Sequence, residues 1–287
     1  MATQFERAAV LGIGLIGGSF ALAAKRAGLV GRVVGVARSE TTRALALERG
    51  AADEVTPDPA AAVAGADLVY LAAPITAICE HLRTLAPHFA PGALVTDAGS
   101  TKVAILRAAE ALPPEVRFVG GHPMAGSEQA GVSAAREDLF RGTVYFLARP
   151  VNTPPAHLSR IADLVTGLGA RPVLVTPEVH DRVVAATSHL PHLLAWALTE
   201  AAAHVDSGER LADFTAGAWR DTTRLADSLP EVWADILLTN AHNLTAVAGD
   251  FSHRLEALLE AVQAGDRERL IRLLEHARQA HRRIAES

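Results

Sequence analysis

Ala8-Ala9-Val10-Leu11-Gly12-Ile13-Gly14-Leu15-Ile16-Gly17-Gly18-Ser19 is the stretch on which the fold turns. A short apolar run enters a glycine-x-glycine-x-x-glycine loop, and residues 19–27 continue as a helical pattern. The physics suits a dinucleotide. Gly12 permits the tight turn, Gly14 lets backbone approach a pyrophosphate, and Gly17 allows helix and strand to pack closely. Leu15 and Ile16 open the helix, whose free N–H groups and positive end face the phosphates. Residues 8–24 carry no charge, but a bilayer span needs about 20 residues. Glu6 beside Arg7 is not the basic start of a secretory leader.

Further apolar runs follow at residues 33–36, 68–71, 94–96, 118–119, 144–147 and 173–175, with helical patterns between them. Short strands apolar on both faces, alternating with helices, predict a doubly wound α/β domain of Rossmann type over residues 1–177. Beyond Pro177 the strand signal stops. Helical patterns occupy residues 179–203, 231–247, 251–264 and 267–285, so residues 178–287 are expected to form an all-α substrate and dimerisation domain. The last two helices make an αα-hairpin about Gly265-Asp266, each with one apolar stripe. So few helical residues make a thin core by themselves, which points to a homodimer through this half.

The 287 residues are 49% hydrophobic and 21% charged, which excludes intrinsic disorder. A formal charge of −5 leaves no electrostatic footprint for nucleic acid. With Cys79 as the one cysteine, no intrachain disulfide forms, and a cytoplasmic protein with no membrane partner is expected. Lysine occurs only at Lys25 and Lys102, so no lysine base lies in the helical half.

An NAD enzyme usually carries an acid after the second strand for the ribose 2′-hydroxyl. Here the chain reads Val36-Ala37-Arg38-Ser39, with no acid before Glu40. Arg38 can pair with a 2′-phosphate and Ser39 can hydrogen-bond it, which favours NADP over NAD. Ligands of open α/β sheets lie beyond the carboxyl ends of the strands, where two unusual loops fall. They are Asp97-Ala98-Gly99-Ser100-Thr101-Lys102 and Gly120-Gly121-His122-Pro123-Met124-Ala125-Gly126-Ser127-Glu128.

His122, expected in a strand-end loop, is the catalytic candidate: neutral imidazole can take the proton of an alcohol that loses hydride. Ser100 can hydrogen-bond the same hydroxyl or cap the following helix. In the helical half, Asp181 and His192 are 11 residues apart, within about 20° on an unbroken helix. With Ala185 and Ser188 they would share one stripe, and Pro191 is expected to kink the helix near Thr187. Paired histidines invite a metal, but no further ligands stand at zinc spacing, so no metal is expected. Arg220 and Arg224 are neighbours on a helix, and at least one can clamp a carboxylate.

GIGLIGGS at residues 12–19, DAGSTK at 97–102, GGHPMAGSE at 120–128, SHLPH at 188–192 and RDTTR at 220–224 occur in this order. Together they resemble the prephenate/arogenate dehydrogenases of tyrosine biosynthesis over essentially the whole chain. The resemblance implies oxidative decarboxylation of a cyclohexadienol, with hydride passing to the nicotinamide and no metal. It implies that His122 accepts a hydrogen bond or proton from the ring hydroxyl, assisted by Ser100. His192, on the stripe with Asp181, and Arg224 would meet the substrate's carboxylates and side chain; Ser127, His189 and Arg220 complete the substrate-binding set. A histidine at 192 is compatible with prephenate, with arogenate the alternative. The chain ending at Ser287 is expected to leave no room for the regulatory domain or fused mutase of some relatives. A β-hydroxyacid dehydrogenase would need a lysine in the helical half, and a non-catalytic NADP-sensing module would need no His122.

Overall fold

The computed structural model describes residues 3–127, 129–150, 153–205 and 210–286. Its first half is one eight-stranded sheet. The strands are β1 (Phe5–Leu11), β2 (Val30–Val36), β3 (Glu54–Thr56), β4 (Leu68–Leu71), β5 (Leu94–Asp97), β6 (Arg117–Pro123), β7 (Val144–Ala148) and β8 (Arg171–Leu174). Their order across the sheet is β3-β2-β1-β4-β5-β6-β7-β8. Every pairing is parallel except β6 with β7. The chain winds outward from β1 in one direction and from β4 in the other, so the crevice for a ligand opens between the carboxyl ends of β1 and β4.

Six helices cover the two faces: α1 (Leu15–Arg26), α2 (Glu40–Glu48), α3 (Pro59–Val63), α4 (Ile75–Thr84), α5 (Val103–Ala109) and α6 (Pro155–Gly167). Phe20, Tyr70, Phe140, Tyr145 and Ile161 fill the core on one side of the sheet; Ile78, Leu82, Val95, Ile105 and Phe118 fill the other.

The second half consists of α7 (Pro177–Val184), α8 (Leu190–Ala203), α9 (Gly217–Thr223), α10 (Pro230–Thr239), α11 (Ala241–Gln263) and α12 (Arg267–Glu286). Between α7 and α8 the helix widens into a π turn at Ala185–His189, around the expected kink at Thr187, with Pro191 in the first turn beyond it. The helix expected over 231–247 ends instead at Thr239. Asn240 breaks it there, its side chain donating to the Asp181 carbonyl at 2.7 Å and meeting His189 at 3.1 Å. From there α11 runs unbroken through Gly249, where a boundary was expected. A single glycine costs a helix only about 1 kcal/mol, and Asp250 pairs with Arg254 one turn on.

The halves are not merely tethered. Ile236 of α10 is buried in the core against α4 and α5. Asp235 accepts from the Thr76 backbone at 3.1 Å and from its hydroxyl at 2.9 Å, at the start of α4. No helix among the described residues is long and apolar enough to cross a membrane.

Candidate active site

The glycine loop sits at the crevice. Gly12 has φ of +96°, and a Cβ there or on Gly17 would run into backbone, of Ala72 and of Gly12 respectively. Gly14 is different: a Cβ on it would meet nothing within 4 Å. Gly14 caps α1 with no side-chain partner, and the first turn holds no acidic residue. A bare, positively polarised helix end beside open space fits a dinucleotide's pyrophosphate. Leu15 and Ile16 line the adjoining cavity of about 550 Å³ with Ala72–Ile75, Ser100 and residues of α8 and α10. Arg38 and Ser39 are exposed where β2 ends. The Ser39 hydroxyl accepts from the Thr42 N–H at 3.4 Å, capping α2 and keeping its own proton to donate. Arg43 donates to the carbonyls of Ala37 and Arg38 and braces the loop.

A second cavity of about 310 Å³ adjoins the first, and Ser100, Ala125, Gly126, His192 and Trp233 line both. His122 lines this inner one. It lies in β6, opposite Phe146 of β7, and not in a loop as the sequence predicts. Strand pairing therefore fixes the ring's base. Gly121 must be glycine because a Cβ would strike the Asp97 carbonyl and the Tyr145 ring. Asp97 accepts from the Gly121 N–H at 3.0 Å and the Gly99 N–H at 2.8 Å, and is paired with the fully buried Lys102, which also donates to the Gly121 carbonyl. Burial pushes the Asp97 carboxyl up and the Lys102 ammonium down, and each opposes the shift of the other.

Asp181 does not reach the cavity. Its side chain is 1% exposed and accepts from the backbone N–H of Lys102 at 2.7 Å and of Val103 at 2.9 Å, capping α5. Ser100, an alternative cap, is thereby left on the cavity wall. The shared stripe of Asp181 and His192 fails because the π turn absorbs an extra residue, rotating His192 about 100° from the face expected. Asp181 also holds His180 Nδ1 at 2.8 Å, and His180 Nε2 is 2.8 Å from His122 Nδ1. Burial above all, then His180, Lys102 and His189, hold the His122 imidazole well below its usual 6.5.

His189 is buried as well, against Asn240 and Trp233, and lines neither cavity. Burial brings its ring down to about 4. Arg220 is exposed and lines neither. Arg224 and Ser127 line the outer cavity, whereas Glu128 lies outside the described residues. The His192 ring stacks on Trp233 with centroids 3.4 Å apart, and its Nδ1 meets the Ser188 carbonyl at 2.9 Å. Only a donor can meet a carbonyl, so in the neutral ring Nε2 is left as an acceptor. Burial, with Arg224 nearby, lowers its pKa. Among the described residues no three His, Cys, Asp or Glu side chains gather as a metal cluster.

A helix end suited to a phosphate thus adjoins two connected cavities lined by the imidazoles of His122 and His192, the Ser100 hydroxyl and, in the outer one, the Arg224 guanidinium. The family described as "Prephenate dehydrogenase, nucleotide-binding domain" matches residues 20–174, and "Prephenate dehydrogenase, dimerization domain" matches residues 176–276. The chain belongs to the prephenate dehydrogenase family. Members are NAD(P)-dependent oxidoreductases. The prephenate dehydrogenase of Bacillus subtilis is 35% identical over 93% of this chain and 73% of its own length. The Aquifex aeolicus prephenate dehydrogenase, crystallised with hydroxyphenyl propionate and NAD+, is 30% identical, with a TM-score of 0.89 over 97% of this chain and 98% of that one. Synechocystis arogenate dehydrogenase is 32% identical, with a TM-score of 0.82 over 97% and 99%.

Within that family frame, Trp233 is the wall residue that sequence reasoning missed. A tryptophan on an apolar helix looks like core, and the only available signal is its position nine residues beyond Arg224.

Proposed function

We propose that the protein oxidatively decarboxylates prephenate to 4-hydroxyphenylpyruvate in tyrosine biosynthesis. The observation that carries this reading is the adjoining pair of cavities, with His122 and Ser100 at the inner end and Arg224 at the outer. A bound nicotinamide dinucleotide supplies the acceptor for the hydride leaving the ring carbon. His122 Nε2 takes the proton of the ring hydroxyl, with Ser100 as a second hydrogen-bond partner. Breaking the bond to the ring carboxylate releases carbon dioxide and returns its electron pair to the ring, which becomes a phenolate. His122 then gives the same proton back to the phenolate oxygen, so the overall reaction releases no net proton.

Arg224 pairs with a substrate carboxylate, and Ser127 adds a hydroxyl near the cavity rim. His192, which lines both cavities, faces the substrate's side chain. One observation favours a second reading. The neutral His192 presents an acceptor to the cavity, which suits the ammonium of arogenate better than the keto group of prephenate. Arg38 and Ser39, with no acid before Glu40, support NADP over NAD. We further read the exposed apolar residues of α11 and α12 as the contact of a homodimer, and a cytoplasmic setting as suited to a chain with one cysteine.

One assay tests the scheme: purified protein with prephenate or arogenate against NAD or NADP, read as absorbance of the reduced nicotinamide. Prephenate with NADP is expected to turn over fastest. A faster rate with arogenate would transfer the assignment to the second reading, and silence in all four combinations would end both.

A further inference from the structure

We infer that His180 is a positioning residue that fixes the proton of His122 on Nδ1, and so keeps the Nε2 lone pair aimed at the substrate hydroxyl. This inference rests on the reading of His122 as the proton acceptor, and the directionality comes from Asp181. A carboxylate only accepts hydrogen bonds. Asp181 takes three, from the Lys102 and Val103 backbone and from His180 Nδ1. The proton of a neutral His180 must therefore sit on Nδ1. Its Nε2 is then a lone pair, 2.8 Å from His122 Nδ1, and that contact needs a proton from His122. Nε2 of His122 is what remains, on a ring that lines the inner cavity. The chain of bonds reads in one direction only.

Packing holds the relay in place. The His180 side chain is fully buried, edge-on to both His122 and Phe146. Asp181 is fixed by its own backbone as well, because Asn240 donates to its carbonyl at 2.7 Å. The relay ends at Asp181, 1% exposed and bound to the start of α5, and it is not asked to export a proton. It has none to export, since the proton that His122 accepts returns to the product.

An imidazole in the middle differs from a carboxylate in direct contact. A carboxylate touching His122 would stabilise the imidazolium and make the ring a tighter holder of its proton. The interposed ring passes on the location of the hydrogen while keeping the negative charge one residue away. That arrangement matches a base that must be free at the start of each turnover and must release its proton at the end.

The test compares His180→Phe, which keeps an aromatic ring against Phe146, with His180→Gln, whose amide can accept from His122 and donate to Asp181. The phenylalanine variant is expected to lose roughly 10- to 100-fold in kcat, less than the loss of about 10⁴ when a triad's carboxylate is neutralised. KM for substrate and dinucleotide should stay within about twofold, because His180 lines neither cavity. Glutamine should recover most of the rate. Nitrogen NMR of the histidine rings should show His122 protonated on Nδ1 in the parent and glutamine proteins, and on Nε2 in the phenylalanine variant. A parent His122 protonated on Nε2 overturns the inference whether or not any variant folds, as does an unchanged kcat in the phenylalanine variant. His122→Asn separates this from the prior reading: full turnover in that variant would remove His122 as the acceptor, whatever its tautomer.

Discussion

Arg38 is exposed one residue beyond the last contact of β2, where the proposed reading puts the 2′-phosphate that distinguishes the two dinucleotides. Replacing it by aspartate should reverse the ratio of kcat/KM for NADP over NAD, by repelling the 2′-phosphate and offering an acceptor to a ribose hydroxyl. An unchanged ratio would take Arg38 out of cofactor choice. His122 makes a separate forecast about pH. Its neutral form is the working one, and burial, reinforced by His180, Lys102 and His189, depresses its pKa. The acid limb of kcat/KM should therefore fall below 6.5, the value of an unperturbed ring, with activity retained as the pH drops through that point. A limb at or above 6.5 would mean that a different group controls the rate. Both proposals start from local sequence signals: a missing acid after β2, and two glycines and a proline flanking one histidine. Asp181 was legible as important but not as to its task, since the backbone it caps is 79 residues away.

Elements explain that difference. Residue periodicity carries no mark of a π turn beyond the proline that follows it, so a stripe drawn for an unbroken helix assigns Asp181 and His192 to one face. β6 was read as too short because Gly120 and Gly121 have little strand propensity, whereas β7, from twenty-odd residues later, pairs with it through Pro123. The same crossing of β5 and β6 is held by Lys102 and Asp97, both fully buried. Lys102→Met keeps the volume and removes the charge. It should destabilise the fold by about 3–5 kcal/mol, the usual effect of leaving a buried ion without its partner. Urea unfolding measures this. A midpoint equal to the parent's would show that Asp97 has taken up a proton instead, and stability regained at lower pH would report the same event.

At the scale of the molecule, α11 and α12 expose Leu255, Leu259, Val262, Ile271 and Leu274, each more than two-fifths open to solvent in the single chain. An apolar row of this kind on a long hairpin is expected to bury itself against a second copy. Sedimentation of a Leu259→Asp, Leu274→Asp double variant should give a monomer, and a dimer that persists would place the interface elsewhere. The sequence conveyed the stripes but not their exposure, which depends on where α10 docks. That docking has its own outcome for catalysis. A carboxylate seated on the helix end of one half, an asparagine locking the following helix to it, and an isoleucine sunk in the other half's core leave the molecule no hinge. Parting the halves would break both hydrogen bonds that Asp181 accepts from the backbone of Lys102 and Val103. On the proposed function, the open rim around Gly126, Ser127 and Arg224 is then the expected way in for substrate and out for carbon dioxide, without a separation of the halves.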